Sequence, residues 1–309
     1  MKSKILLFFL LTVLFSCKKE QKNTVADWQV ISENVKFKEE NKVLKLQSGK
    51  FNYEIPTDRL PFKKVILLNS SLLGYFLELD FQSKIIGISS PEYIYSERIH
   101  QLIKDGKIQN VGSEQKYDIE KIIALKPDAV FTNYISSFEN TYDLLKKNSI
   151  EIIFLDEYLE QNPLDKSRYL LVFGKLLGKD KEAVASYKKI QTSYDSIKKI
   201  TEKPMDKPTV LANEMYGNQW FLPGGKTQLA NYIADAGANY ILKDNDDTKA
   251  VPTSFEEVFT KAENATIWVN AGTHKTKSSL LSINPNYAKM KVFQDGKIYS
   301  LSGKEKGSS

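Results

Sequence analysis

The chain has 309 residues, 41% of them hydrophobic and 27% charged, with 44 Lys or Arg against 38 Asp or Glu. That length can fill two lobes with separate cores, and that balance excludes a disordered chain. The net charge of +6 is spread through interleaved lysines and acids rather than gathered into a basic stripe, which argues against nucleic-acid binding.

The first element is a leader. Lys2 and Lys4 precede an apolar run over residues 5–15, interrupted only by Thr12, and the single cysteine, Cys17, follows it. A basic start, about 11 apolar residues and a small residue before the cut describe a secretory signal peptide. The run is too short for a permanent spanning helix. Leu14-Phe15-Ser16-Cys17 resembles a bacterial lipobox. Cleavage there makes residues 1–16 the signal peptide and Cys17 the acylated anchor, which also removes a free thiol from an oxidising compartment. The polar residues that follow read as a flexible tether over 17–30.

Residues 31–53 alternate weakly and predict a short hairpin before the main body. The pattern then changes to a first lobe, assigned to 31–163. Short apolar runs at 65–68, 84–88, 129–132 and 151–155 predict strands buried on both faces. Between them lie helices over 72–79, with Ser70-Ser71 as the cap, over 118–125 from Asp118 to the Pro127 stop, and over 138–147. From 164 to 203 no strand signal appears. Ala183, Val184, Tyr187, Ile190, Tyr194 and Ile197 keep helical spacing, Gly178 divides a shorter helix from a long one, and Pro204 and Pro208 end it. The second lobe, 204–309, resumes the alternation, with strands at 209–212, 266–269 and 297–299 and helices at 227–236 and 255–262. It ends in a polar loop, as though the lobe were incomplete. The expected fold class is α/β: two lobes with mostly parallel sheets joined by a long linker helix.

Several segments in this order resemble class III periplasmic binding proteins, the substrate-binding components of iron–siderophore, haem or cobalamin ABC importers, and especially their Bacteroidetes-type lipoproteins. They are the run from Pro61 to Ser71, Ile85-Ile-Gly-Ile-Ser89, Asn110-Val-Gly112 with the stretch from Asp118 to Asp128, and in the second lobe Trp220-Phe-Leu-Pro-Gly-Gly225 and Asp235-Ala-Gly237. The likeness runs over residues 35–299. One departure concerns subfamily: Arg168-Tyr169 stands where related members read glutamate-tryptophan. The resemblance implies an ABC permease as partner, a small-molecule metal chelate as ligand, a monomer, and no cofactor of its own. It also implies one acid on each lobe for permease docking. Glu139 is the first-lobe match, while Asp246, Glu256 and Glu257 are the second-lobe alternatives.

In open α/β sheets ligands bind beyond the carboxyl ends of the strands. That rule selects the loops Asn69-Ser-Ser71, Ser89 to Tyr95, Asn133-Tyr134 and Glu157-Tyr158 in the first lobe, and Glu214 to Trp220, Pro252-Thr253 and Asn270 to His274 in the second, with Asn69, Ser70, Tyr93, Tyr95, Asn133, Tyr134, Tyr158, Tyr216, Trp220, Asn270 and His274 as the candidate contacts. Tyr and Trp offer flat apolar area with a hydrogen-bonding edge, suited to a large chelate or macrocycle. The two histidines, His100 and His274, are too few for a bare transition-metal site, and His100 reads as solvated. The three arginines, Arg59, Arg98 and Arg168, lie outside the cleft loops, which suits a neutral hydroxamate chelate or corrinoid better than a densely anionic complex. No nucleophile elbow or P-loop is present, and Pro223-Gly224-Gly225 reads as a tight turn. The reading is a lipid-anchored binding protein for a ferric chelate, corrinoid or haem, located in the cell envelope facing the periplasm. The rival is an envelope enzyme on a similar scaffold acting on a bound chelate.

Overall fold

The computed structural model describes residues 27–201 and 206–301. The leader, Cys17 and the end of the chain from 302 lie outside the described residues.

The expected hairpin is a four-stranded antiparallel sheet of β1 (Gln29–Val30), β2 (Val35–Glu40), β3 (Val43–Ser48) and β4 (Phe51–Pro56), in sequence order. Alternation explains it. Val35, Phe37, Leu44, Leu46 and Ile55 all turn to the first-lobe core, while lysines take the alternate positions. Asn41 and Lys42 both adopt positive φ, as a two-residue hairpin between β2 and β3 requires.

The first-lobe sheet is parallel throughout, in the order β11 (Glu151–Phe154), β10 (Ala129–Thr132), β5 (Val65–Leu67), β6 (Ile85–Ile88), β7 (Gln109–Asn110). The crossovers carry α1 (Leu73–Glu78), α2 (Glu97–Lys104), a small hairpin of β8 (Gly112–Ser113) and β9 (Lys116–Tyr117), α3 (Ile119–Leu125) and α4 (Glu139–Lys147). Asp118 caps α3 as expected, its Oδ1 accepting the Lys121 N–H at 3.0 Å. The cap before α1 is Asn69 rather than Ser70 or Ser71. Its Oδ1 accepts the Ser71 N–H at 2.8 Å and opens a 3₁₀ turn that runs into the helix.

Two helices follow, α5 (Pro163–Leu177) and α6 (Asp180–Thr201), with Gly178 at φ 68° between them. α5 buries Tyr169, Leu170, Val172, Phe173, Leu176 and Leu177 in the first-lobe core. α6 lies against it so closely that a Cβ on Gly174 would meet the Ala183 methyl at 2.4 Å. Of the expected α6 stripe, Ala183 is buried but Val184 and Ile197 are exposed.

The second lobe has a parallel sheet, β15 (Asn239–Tyr240), β12 (Thr209–Ala212), β17 (Ala265–Val269), β18 (Lys297–Ile298). Beside it lies an antiparallel sheet of β13 (Met215–Tyr216), β14 (Gln219–Pro223) and β16 (Ala250–Thr253). The helices are α7 (Gln228–Asp235), α8 (Phe255–Lys261), α9 (Lys277–Leu281) and α10 (Lys291–Gln294). α7 braces one lobe against the other. Asn231 Nδ2 donates to the Gln161 carbonyl at 3.0 Å. At its other end Asp235 accepts from Tyr194 Oη at 2.7 Å and pairs with Lys198 at 2.7 Å.

Candidate functional site

Because each main sheet is parallel, the carboxyl ends of its strands share one edge, and the connecting loops gather there. In the first lobe these loops form a cavity of about 270 Å³ lined by Leu68, Asn69, Glu114, Tyr117, Thr132, Asn133, Ile135 and Tyr158. It brings together Asn69, Asn133 and Tyr158 from the loops after β5, β10 and β11. Asn133 is nearly buried, with its Nδ2 donating to the Leu155 carbonyl at 2.6 Å and to Glu157 Oε2 at 3.1 Å. Tyr93 and Tyr95, after β6, are exposed on the adjoining loop. Ser70 is half-buried and lines no described cavity.

Glu157 entered the sequence reading only as part of the edge loop Glu157-Tyr158 and not as a contact residue, yet it organises this edge. Its side chain has no exposed surface. Ser71 Oγ donates to its Oε1 at 2.7 Å, Asn133 to its Oε2, and Lys166 Nζ stands 3.7 Å away. Ser71 and Lys166 in turn line a second hollow of about 270 Å³ with Gly74, Tyr75 and Glu78. Three segments far apart in sequence therefore meet at one carboxylate. No local signal marks an acid as buried. Its neighbour Asp156 has its carboxyl pushed above the ordinary range by burial, although the Tyr134 N–H donates to it at 2.8 Å.

Tyr134 is not part of the cavity lining. Its hydroxyl donates to Glu139, the exposed first residue of α4, and Lys50 from the turn between β3 and β4 sits over its ring at 3.9 Å. His100, expected to be solvated, is held instead by the Ile94 carbonyl, 2.6 Å from its Nε2.

In the second lobe, Asn213 and Asn270 leave the adjacent strands β12 and β17 at positive φ. Asn270 Nδ2 donates to Asn213 Oδ1 at 2.6 Å, so both loops turn as a unit. Beside them His274 Nε2 and Glu214 Oε2 lie 2.6 Å apart. Gly272, at φ 61°, makes room for that acid: a Cβ there would meet Glu214 Oε1 at 2.0 Å. Tyr216 projects from the β13–β14 turn at 81% exposure.

Trp220 corrects the sequence reading. It has 0% exposure, its Nε1 donates to the Ala212 carbonyl at 3.0 Å, and its ring packs 5.4 Å from Trp268 and 5.5 Å from Tyr287. It belongs to the second-lobe core and cannot touch a ligand. Pro252 and Thr253, expected in a loop, lie within β16, where Thr253 is buried. Among the acids weighed for docking, Asp246 is exposed beside Lys226, and Glu256 and Glu257 sit in the first turn of α8. Among the described residues no group of three or more His, Cys, Asp or Glu could hold a metal ion.

Residues 65–304 match the family model for periplasmic binding proteins. An uncharacterized lipoprotein of Methanocaldococcus jannaschii is 24% identical over 249 residues, which is 78% of this chain. The chain spans 59% of that relative's own length. Among solved structures, the periplasmic haem-binding protein HutB of Vibrio cholerae superposes with a TM-score of 0.63 at 13% identity, covering 78% of this chain and 90% of that one. An ABC-type Fe3+-hydroxamate transport system from Saccharomonospora viridis superposes with a TM-score of 0.59 at 14% identity, covering 83% and 91%. At such identities the likeness establishes a shared fold.

Proposed function

The chain belongs to the periplasmic binding protein family, and from that premise we propose that it captures an iron–siderophore or a related metal chelate or tetrapyrrole and hands it to an ABC permease. Members of this family bind their substrates rather than transform them, so the enzyme reading falls. The observation that carries the proposal is the convergence of Asn69, Asn133 and Tyr158 on one cavity at the first-lobe carboxyl edge, beside exposed Tyr93 and Tyr95. On the second lobe Tyr216, Asn270 and His274 offer the opposing contacts. Flat aromatic faces with amide edges suit a large, partly apolar ligand whose iron or cobalt arrives inside its own chelator. Haem and Fe3+-hydroxamate in the names of two structural neighbours support the same class. Corrinoids remain the alternative ligand.

Binding needs little movement in this reading. The brace of α7 between the Gln161 loop and α6 resists wide opening, so the cleft is largely formed before the ligand enters. Glu139, exposed and steadied by Tyr134, is the first-lobe contact offered to the permease. Lipid anchoring through Cys17 is supported by the Leu14-Phe15-Ser16-Cys17 motif and by the lipoprotein relative. It holds a monomer at the envelope membrane.

The test is an absorption spectrum of the protein purified from its own host with endogenous ligand. A ferric hydroxamate, haem or corrinoid chromophore is expected. Purified protein that carries no chromophore and binds none of the three when they are supplied refutes the reading. Cys17→Ser should release the protein from the membrane fraction, and an unchanged fraction refutes the anchor.

A further inference from the structure

The β8–β9 hairpin places one charge at the first-lobe cavity. After β6, Ser90 turns at φ 49° with no exposed surface and grips the hairpin twice. Its N–H donates to the Gly112 carbonyl at 2.9 Å, and its Oγ accepts the Glu114 N–H at 3.0 Å. Gly112, at φ 102°, lets the hairpin fold back: a Cβ there would meet the Lys116 carbonyl oxygen at 2.4 Å. At the hairpin base the Asp118 N–H donates to the Val111 carbonyl at 2.9 Å. Glu114, in the turn, is therefore positioned before any ligand arrives.

Among the residues lining the cavity Glu114 alone is charged, and Asn69, Asn133, Thr132 and the two tyrosines add neutral polar groups. The Glu114 carboxylate enters no ion pair or hydrogen bond among the described residues. Cations near the edge are placed elsewhere. Lys116 is exposed on β9, opposite Ser113. Lys50 is stacked on the Tyr134 ring, and Lys166 stands beside Glu157 and lines the separate hollow with Glu78. The arginines pair away from the cavity: Arg59 with Glu151, Arg98 with Asp80, and Arg168 with Asp165. Asp156 and Glu157 add two more acids behind the lining, where Tyr134 and Asn133 donate to them. On the second lobe Glu214 faces His274, with Lys275 exposed next in the chain. A ligand seated in the first-lobe cavity thus meets one open carboxylate and no lining cation.

We propose that Glu114 is a ligand contact that selects metal chelates bearing a cationic group, an ammonium above all, over chelates bearing carboxylates. The proposal rests on the chelate-binding reading above and narrows it. A ligand that covers the cavity takes Glu114 out of water, and a covered carboxylate needs a partner. An ammonium answers it with a charge-assisted hydrogen bond. An uncharged edge answers it less well, and a second carboxylate repels it. Because the hairpin is already fixed, little ordering cost is set against that contact.

The experiment offers the full-length protein one chelate in three charge states: ferric desferrioxamine B, a cation through its free amine, its uncharged N-acetyl derivative and its anionic N-succinyl derivative. Aquocobalamin in mildly acidic buffer, a cation, and uncharged cyanocobalamin form a second pair, and haemin, with two propionates, is the last probe. Affinities are read from tryptophan fluorescence quenching at low and high salt. Within each chelate the wild type should rank the cation first and the anion last, with the spread narrowing in salt. Glu114→Gln keeps the shape and removes the charge. Affinity for the cation should fall about five- to tenfold, the worth of one charge-assisted hydrogen bond, while the uncharged form stays within about twofold and the succinyl form rises. Glu114→Lys should invert the ranking. A residue that only shapes the hairpin does not distinguish charge, so probes that weaken alike in Glu114→Gln, or a wild-type ranking that survives it, overturn the proposal. A wild type that binds haemin and none of the other probes overturns it and leaves the chelate reading in place. A wild type that binds none of them overturns both.

Discussion

Trp220→Ala separates a ligand contact from a core residue, and the structure gives its magnitude. The indole is sealed from solvent between Trp268 and Tyr287, and its Nε1 is a donor to the Ala212 carbonyl at the end of β12. Truncating a buried Trp costs about 3–5 kcal/mol in transfer and cavity terms. The orphaned carbonyl adds a share of about 1 kcal/mol, partly counted already. A loss near 4 kcal/mol is a large fraction of the roughly 5–15 kcal/mol that holds a domain, and it should lower the melting temperature by about 10 °C. Trp220→Phe keeps most of the ring packing and loses the donor, so about 1–2 kcal/mol is expected. Urea unfolding followed by circular dichroism measures both. A Trp220→Ala midpoint within about 0.5 kcal/mol of wild type, together with a tenfold loss of chelate affinity, would refute the placement and put the indole in the cleft.

Asp156→Asn tests the buried acid. Burial raises its carboxyl above the ordinary 3.8, so the folded state binds more protons than the unfolded chain between that value and the raised one. Stability from this group therefore falls as pH rises through that interval. Asparagine keeps an acceptor for the Tyr134 N–H and does not titrate, so the variant should gain on the wild type as pH rises, and a stability difference independent of pH refutes the assignment. Gly272→Ala should cost about 1–3 kcal/mol by forcing a Cβ onto Glu214 at positive φ. In a Glu214→Ala background part of that cost should vanish, and an unchanged cost in denaturant titrations refutes the close approach.

The central strands of both main sheets were legible because buried parallel strands are short apolar runs flanked by Gly, Pro and Asn, whereas the two-residue edge strands β7 and β15 were not expected. The runs at 65–68, 129–132 and 209–212 are of that kind, and the structure places β5, β10 and β12 on them. The N-terminal sheet was underread because lysines at alternate positions of β2 and β3 dilute the apolar signal, although the alternation itself is complete. Trp220 carried an unused signal: it shares its phase with Leu222, which is buried, while Gln219 and Phe221 take the outer phase. Glu157 had none. What defines it is contact with Ser71, 86 residues earlier, and such pairing exists only once the sheet has assembled. The cleft tyrosines fell between these cases, because strand order tells which loops share an edge but not which side chains turn inward.

The N-terminal sheet has a consequence for where this molecule can be divided. The family match begins at residue 65, and β1 to β4 precede it. Yet those strands supply Ile31, Val35, Phe37, Leu44, Leu46 and Ile55 to the same core as α5. Ser32 Oγ donates to the buried Glu160 at 2.6 Å, and the Phe154 N–H of the outermost strand β11 donates to Tyr53 Oη at 2.8 Å. A chain trimmed to the shared boundary would strip this cover. The flank of β11 would then present an unsatisfied amide beside bare apolar surface, a template on which strands of other copies can add. The trimmed molecule should oligomerise or precipitate where the longer one stays dispersed. The unit inherited from the family and the unit that folds cleanly differ here by one small sheet.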